Sequence, residues 1–181
     1  MRREENVAAT QGIEFARLSL REALDLAIAI EEEARDRYRE FAEQLTAHHT
    51  AEAARFFEHM ARIEEIHRSQ LAERREALFP GERPQPMRER IFDVEAPEYD
   101  AARAFMSVRE ALEAALSGEE KAYAFFVRAI PLLESTEVRK LFGELRDEEV
   151  EHQDLVRAEI ARLAGEPGGR DEAYSDDPVA Q

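Results

Sequence analysis

Hydrophobic and polar residues alternate along this chain with the period of an α-helix. In four separate stretches, apolar side chains recur every three or four positions, as they do on one face of an amphipathic helix. Prolines and glycines interrupt the pattern in the middle of the chain and again after residue 164. The pattern therefore predicts four long helices, with approximate bounds 19–46, 51–79, 106–134 and 136–164.

Local signals mark where these helices begin and bend. Ser19 and Ser107 are each followed three residues later by a glutamate, which is the signature of a capping box at a helix N-terminus. Pro131 falls inside the third predicted helix, where a proline removes a backbone hydrogen bond. We therefore expect capped starts at the first and third helices and a kink at Pro131.

The lengths of the connections predict the topology. The links at 47–50 and around Ser135 are short, so each joins two antiparallel helices. The segment 80–105 is long enough to cross the whole length of a bundle. Two helical hairpins joined by one long crossover form an all-α, antiparallel four-helix bundle of the ferritin-like type. We expect this domain at 19–164, after an N-terminal extension (1–18) and before a flexible acidic tail (165–181).

An internal repeat supports the two-hairpin arrangement. The segment SLREALDLAIAIEE (19–32) matches SVREALEAALSGEE (107–120) at eight of fourteen positions, without gaps. The second and fourth helices repeat more weakly, in EEIH (64–67) and EVEH (149–152). The chain is therefore interpreted as a duplicated helical hairpin.

Composition excludes several classes of protein. The chain has 25 Lys and Arg against 41 Asp and Glu, and its formal net charge of −16 argues against binding to nucleic acid or to anionic membranes. It has no Cys, which excludes disulfides, thiol catalysis and cysteine-ligated metal centres on this chain. No stretch resembles a signal peptide or a membrane span, so we expect a cytoplasmic protein.

Each apolar stripe is interrupted near its middle by a carboxylate. On the second and fourth helices, a histidine follows three residues later on the same face. The six interrupting residues are Glu31, Glu64, His67, Glu119, Glu149 and His152. Four uncompensated carboxylates in one core would cost many kcal/mol, because desolvating even one ion costs several. Two divalent cations would neutralise all four, and the mixture of oxygen and imidazole ligands suits iron or manganese better than structural zinc.

This pattern resembles the rubrerythrin group of ferritin-like proteins over roughly residues 19–164. One Glu from each of two helices plus Glu-x-x-His from each of the other two is the ligand set of di-iron and di-manganese bundle proteins. The segment AALSGEE before Glu119 is particularly similar to rubrerythrin. The resemblance implies two iron ions, with manganese as the alternative, bridged by Glu64 and Glu149 and bound terminally by Glu31 and Glu119.

The chain departs from the rubrerythrin pattern at three points. Rubrerythrins place a second Glu three residues after the ligand of the third helix, where this chain has Ala122. Tyr38 has Phe126 as its counterpart in the second repeat. Without Cys, the chain cannot carry a rubredoxin iron. The resemblance is therefore to the bundle domain alone, and the missing carboxylate removes the basis for the metal movement that accompanies peroxide reduction in rubrerythrins.

Some residues near the six candidate ligands could have either of two roles. Tyr38 could hydrogen-bond a ligand carboxylate or take part in redox chemistry, or it could simply pack in the core. Glu151 could approach a metal from the position before His152. The other acidic neighbours are expected on solvated faces: Glu32, Glu33, Glu65, Glu120, Asp147 and Glu148.

The resemblance implies an oxidoreductase that oxidises Fe(II) with O2 or reduces hydrogen peroxide. Two other functions stay open: an iron-storage or compartment-associated protein, and a helical scaffold without metal. The expected partners are Fe(II), O2 or hydrogen peroxide, and an electron-donor protein. A homodimer is also expected, and the long crossover would allow its two chains to exchange hairpins.

Overall fold

Four long helices account for most of the protein in a computed structural model that describes residues 13–47, 51–87, 94 and 107–165. The helices are α1 (Leu20–Ala47), α2 (Ala51–Leu78), α3 (Val108–Ala129) and α4 (Thr136–Gly165). Two short 3-10 helices, Phe15–Arg17 and Ile130–Leu132, precede α1 and follow α3. No strand occurs in these ranges, and the predicted all-α bundle is confirmed.

Side-chain caps start the helices where the sequence predicts them. Ser19 Oγ accepts the Glu22 N–H at 3.3 Å, and the Glu22 carboxylate accepts the Ser19 N–H at 3.0 Å. Ser107 and Glu110 exchange the same two hydrogen bonds at the start of α3, at 3.2 and 2.8 Å. Ser135 Oγ accepts the N–H of Val138 at 3.3 Å in the first turn of α4. These bonds satisfy N–H groups that have no partner within the helix.

The third helix differs from its predicted span at both ends. It begins at Val108, because Ser107 is its cap, and it stops at Ala129. Pro131 then lies in the 3-10 helix Ile130–Leu132, so it ends α3 instead of kinking it. The physical reason is that Pro131 has no N–H to donate to the carbonyl four residues earlier. The chain turns into α4 only a few residues later.

Two apolar clusters fill the bundle, one toward each end, and they fix the directions of the helices. The first cluster joins the early part of α1 to the last turns of α3 and the early part of α4: it includes Leu24, Ile30, Phe126, Ala129, Leu141 and Phe142. The second joins the late part of α1 to the early parts of α2 and α3: it includes Phe41, Leu45, Phe57, Met60, Ala111 and Leu112. Helix α3 is therefore antiparallel to α1, and the connection from α2 to α3 crosses the bundle, as predicted.

A buried ion pair holds the beginning of this crossover against the helices. The side chains of Asp25 on α1 and Arg75 on α2 are only 1% and 4% exposed, and they form an ion pair. Asp25 Oδ2 also accepts the N–H of Gln85 at 3.0 Å, while Arg75 Nη1 donates to the Glu82 carbonyl at 2.9 Å. Met87 packs in the first apolar cluster just beyond. The path of the chain after α2 is thus fixed by interactions between residues far apart in sequence.

Several predicted features lie outside the described residues. These are most of the N-terminal extension, the link at 48–50, most of the crossover after residue 87, and the tail from residue 166. Among the helices that are described, none has both the length and the apolar character that a membrane span requires.

Candidate metal centre

A layer of polar side chains separates the two apolar clusters. On every helix the layer falls between the residues of the first cluster and those of the second. It contains all six residues that interrupt the apolar stripes: Glu31, Glu64, His67, Glu119, Glu149 and His152. None of the four glutamates is more than 3% exposed. Four helices thus converge on one buried, acidic layer near the middle of the bundle.

The two imidazoles lie at the centre of this layer. The rings of His67 and His152 stack at a centroid separation of 5.1 Å, with their planes 7° apart. His152 Nδ1 lies 3.3 Å from Glu119 Oε2 and 3.8 Å from Glu149 Oε2. His67 Nδ1 lies 4.0 Å from Glu31 Oε2. His152 Nδ1 also lies 3.6 Å from Glu64 Oε1, so Glu119 is the carboxylate nearest to His152, while Glu31 lies beside His67.

The two histidines differ in their access to solvent. The side chain of His67 is 20% exposed and that of His152 only 4%. One side of the centre, formed by His67 and Glu31, therefore lies closer to the surface than the other.

Tyr38 contacts the centre from α1. Its hydroxyl donates a short hydrogen bond to Glu119 Oε1, and the side chain is fully buried. The sequence left two roles open for Tyr38, and the structure shows the hydrogen bond to a candidate ligand. Gln153 Nε2 also donates to the backbone carbonyl of Glu119, at 3.3 Å. The counterpart of Tyr38 in the second repeat, Phe126, is buried in the first apolar cluster, so the two halves of the site differ.

Burial and mutual charge shift the titration of these groups in opposite directions. Burial raises the pKa of Glu31 to about 7, against the opposing effects of a hydrogen bond with Glu64 and the charge of His152. Burial also acts to raise the pKa of Glu119, but the hydrogen bond and charge of His152 outweigh it, and the pKa is lowered. Burial lowers the pKa of His67 to about 4, and the charge of His152 adds to that effect.

His152 behaves differently from His67. Burial acts to lower its pKa, but the hydrogen bond and charge of Glu119 prevail, and the pKa is raised above the ordinary value. Both shifts favour the protonated forms of Glu31 and His152, which reduces the negative charge of the layer.

Glu31 Oε2, His67 Nδ1 and His152 Nε2 are buried polar atoms of the layer for which the described part of the chain supplies no hydrogen-bond partner. Buried polar atoms are normally paired, so unpaired ones indicate a missing partner such as an ion. Ligand atoms of three overlapping sets lie within 4.8 Å of one another. The sets are Glu64–His67–His152, Glu119–Glu149–His152 and Glu31–His67–Glu148. Carboxylate and imidazole donors in this arrangement fit two iron or manganese ions.

Glu148 is the residue of these sets that the sequence did not single out. The solvated face predicted for it is not what the structure shows, because it is half-buried beside Glu31 and His67. Burial is also the main cause of its raised pKa. The only signal in the sequence was that Glu148 is adjacent to Glu149. Several surface acids are also adjacent to a candidate ligand, so this position alone did not distinguish Glu148 from them.

Glu65 and Glu151 behave as surface residues, whereas Glu33, for which a solvated face was also predicted, has one buried carboxylate oxygen. Glu65 forms ion pairs with Arg35 at 2.7 Å and Arg68 at 2.8 Å, and hydrogen bonds from these two arginines lower its pKa to about 2. Glu151 is exposed and belongs to none of the ligand sets found among the described residues.

Solved structures of several proteins are similar to this chain over most of its length. An uncharacterised conserved protein from Magnetospirillum magnetotacticum MS-1 is 29% identical, with a TM-score of 0.65, and the match covers 80% of this chain and 95% of that one. A bacterioferritin from Rhodobacter capsulatus is 22% identical, with a TM-score of 0.57, and the match covers 82% of this chain and 88% of that one. A hypothetical protein from Pyrococcus furiosus is 24% identical, with a TM-score of 0.51 and coverages of 81% and 90%. The last two likenesses show the ferritin-like fold.

Sequence comparison identifies the family. A search of curated proteins gave no match. The sequence profile of the rubrerythrin family, however, matches residues 22–160, which include α2, α3, most of α1 and α4, and the whole polar layer. The chain therefore belongs to the rubrerythrin family of ferritin-like, di-iron carboxylate proteins.

Proposed function

We propose that this protein is a non-haem di-iron oxidoreductase that acts on Fe(II) with O2 or hydrogen peroxide as the oxidant. The observation that carries the proposal is the polar layer itself. It brings together four glutamates and two histidines from four helices, and in the described residues Glu31 Oε2, His67 Nδ1 and His152 Nε2 are buried without hydrogen bonds. An iron-related role follows from the family, and the choice of reaction is our proposal.

Each ion would be bound by side chains from both hairpins. Glu31 and His67 would hold one iron, and Glu119 and His152 the other. Glu64 and Glu149 would bridge the two, as the family's pattern implies. In the structure, a ligand atom of Glu64 lies near both His67 and His152, and one of Glu149 lies near Glu119 and His152. We favour iron over manganese because the family is a di-iron family.

The protein's own residues would prepare the site. The two apolar clusters above and below the layer exclude bulk water, which strengthens the attraction between carboxylates and cations. Tyr38 fixes one carboxylate oxygen of Glu119, and so orients this ligand before metal arrives. Glu31 holds a proton near neutral pH and gives it up when a cation binds.

Two irons would supply one electron each to the oxidant, so that hydrogen peroxide with two protons yields two water molecules, and O2 with two protons yields hydrogen peroxide. The chain itself contains no Cys that could store electrons. We therefore propose that the electrons come from substrate Fe(II) in a ferroxidase reaction, or from a separate donor protein in peroxide reduction. The formal charge of −16 favours the approach of cationic Fe(II).

The test compares two neighbouring glutamates on α3. Glu119 is fully buried in the layer, whereas Glu120 is exposed and pairs with Arg157. Loaded anaerobically with Fe(II) and mixed with O2 or peroxide, Glu119→Gln should form Fe(III) at least about tenfold more slowly than the wild type. Glu120→Gln should behave as wild type.

The choice of oxidant is read from the same experiment. Faster oxidation of the wild type by peroxide than by O2 assigns a peroxidase, and the reverse assigns a ferroxidase. Equal rates for the wild type, Glu119→Gln and free Fe(II) would contradict the proposal.

A further inference from the structure

The duplicated ligands of the centre are matched one to one, but Glu148 has no matching carboxylate. At the offsets of the internal repeat, Glu149 corresponds to Glu64 and His152 to His67. The same offset places Glu148 opposite Ile63, which packs against the second apolar cluster. Any role of Glu148 at the centre therefore distinguishes one of its halves from the other.

Glu148 lies beside the half of the centre that is closer to the surface. One of its carboxylate oxygens, one oxygen of Glu31 and one ring nitrogen of His67 are all within 4.8 Å of one another. Ligands around a single ion of this size are separated by up to about 4 Å, since each bond is about 2.1 Å long. A small movement of side chains would therefore bring all three onto one ion.

No arginine or lysine neutralises Glu148 within the described chain. Neighbouring acids on the same helix are paired: Asp147 with Arg146 at 2.6 Å, and Glu144 with Arg74 at 2.7 Å. Glu148, although half-buried, forms no such ion pair with any residue that the structure describes. A half-buried carboxylate without a cation is unfavourable unless something else supplies the positive charge.

Glu31 and His67, which lie beside Glu148, indicate that a metal ion supplies this positive charge. Glu31 is 3% exposed, and its Oε2 accepts no hydrogen bond from the described residues. His67 Nδ1 is also buried and forms no hydrogen bond with them. Both atoms belong to the set that contains Glu148. Glu148, Glu31 Oε2 and His67 Nδ1 thus lie together at a place where the described residues give Glu148 no cationic partner and the other two atoms no hydrogen bond.

We propose that Glu148 is a metal ligand, and that it serves the ion held by Glu31 and His67 but not the ion held by Glu119 and His152. This inference rests on the proposed di-metal site and deepens it. The outer position, held by Glu31 and His67, gains one more carboxylate from Glu148. At the inner position, held by Glu119 and His152, Tyr38 forms a hydrogen bond with Glu119 instead. The two positions should therefore differ in affinity, and Glu148 controls the outer one.

The test is a calorimetric titration of metal-free protein with Co(II), which binds such sites without reacting with O2 on the timescale of the titration. The wild type should bind two ions. Glu148→Gln should weaken one binding event by about tenfold or more and leave the other unchanged. Glu148→Ala, which also lacks the anionic oxygen, should do the same, and circular dichroism shows whether each variant is folded. Glu151→Gln is the matched control, because Glu151 is exposed on the same helix.

A double-mutant comparison assigns the affected position. If Glu148 and His67 serve one ion, Glu148→Gln should weaken binding no further in a His67→Ala background, where that event is already lost. In a His152→Ala background it should retain its full effect.

Three results separate the possible failures. A wild type that binds no ion overturns the proposed function together with this inference. Two ions in the wild type with identical titrations for Glu148→Gln and Glu151→Gln overturn the inference alone. A full effect of Glu148→Gln in the His67→Ala background also overturns it, since Glu148 would then serve another ion.

Discussion

Replacing Glu31 by glutamine should stabilise the metal-free protein and weaken its response to metal. Glu31 is almost completely buried, and burial raises its pKa from an ordinary value of 4.5 to about 7. Gln keeps the size and polarity of the side chain but is neutral at every pH. The substitution therefore isolates the cost of holding a charged carboxylate in the polar layer.

The size of the effect follows from the two pKa values. Because the folded state holds the Glu31 proton more tightly than the unfolded state, the stability it confers is fully present below pH 4.5 and is lost as the pH rises to about 7. At about 1.4 kcal/mol per pH unit, the loss by pH 8 is about 3 kcal/mol. In a chain of this length, that corresponds to about 10 °C in the melting temperature.

The assay is thermal unfolding of chelator-treated protein at pH 4.5 and pH 8. Wild type and Glu31→Gln should melt within a few degrees of each other at pH 4.5, while the variant should melt about 10 °C higher at pH 8. Glu151→Gln removes the same charge from an exposed position and should show no such pH-dependent gain.

Adding Mn(II) or Co(II) at pH 8 should reverse the order. The wild type gains stability by binding the ion, and the variant gains less because it has lost a ligand. A melting difference between wild type and variant that is the same at both pH values would refute the reasoning, because it would show that the charge of Glu31 is not the origin of the cost.

The remaining predictions concern protons, a buried ion pair and a positioned ligand. Metal affinity should increase from pH 6 to pH 8, because the ions must displace protons from groups such as His152, whose pKa is raised; calorimetry in two buffers of different ionisation enthalpy measures the released protons, and an affinity independent of pH would contradict it. Asp25→Ala should lower the free energy of unfolding by about 3–5 kcal/mol, because it leaves Arg75 buried without its carboxylate; denaturant unfolding measures this, and a companion variant with Arg75→Leu added should recover part of the loss. Tyr38→Phe should weaken metal binding about tenfold while two ions still bind, because it removes the hydrogen bond that orients Glu119; an unchanged titration would show that this bond does not position the ligand.

Features that depend on neighbours in sequence could be predicted from the chain alone. Helical periodicity and capping serines act within one or two turns, and Ser19 and Ser107 cap helices as expected. Pro131 shows where this local reasoning reaches its limit. A proline near the end of a helix can kink it or stop it, and the choice depends on whether packing continues beyond it. Here the next turn is 3-10, and the chain turns into α4.

The location of the centre could be predicted because charge in an apolar stripe is costly. Glu64 and Glu149 stand out in sequence for this reason, and the structure buries both. Glu148 could not be identified in the same way, since it lies beside the stripe and its burial depends on how α4 faces α1 and α2.

The partners in long-range polar contacts also could not be predicted from the sequence. Asp25 and Arg75 are 50 residues apart, and nothing local indicates that they pair. The partner of Tyr38 is equally remote, since its hydroxyl reaches Glu119 on another helix. Such pairings are decided by the docking of the two hairpins, which fixes distances that no single helix contains.

The central claim is that the polar layer binds two metal ions, and an anaerobic titration of metal-free protein with Fe(II) tests it most directly. We predict two ions bound per chain in the wild type and a loss of both tight binding events in the double variant Glu64→Ala, His67→Ala, because Glu64 is expected to bridge the pair. Wild-type protein that binds no Fe(II), or a double variant that still binds two ions with unchanged affinity, would contradict the account.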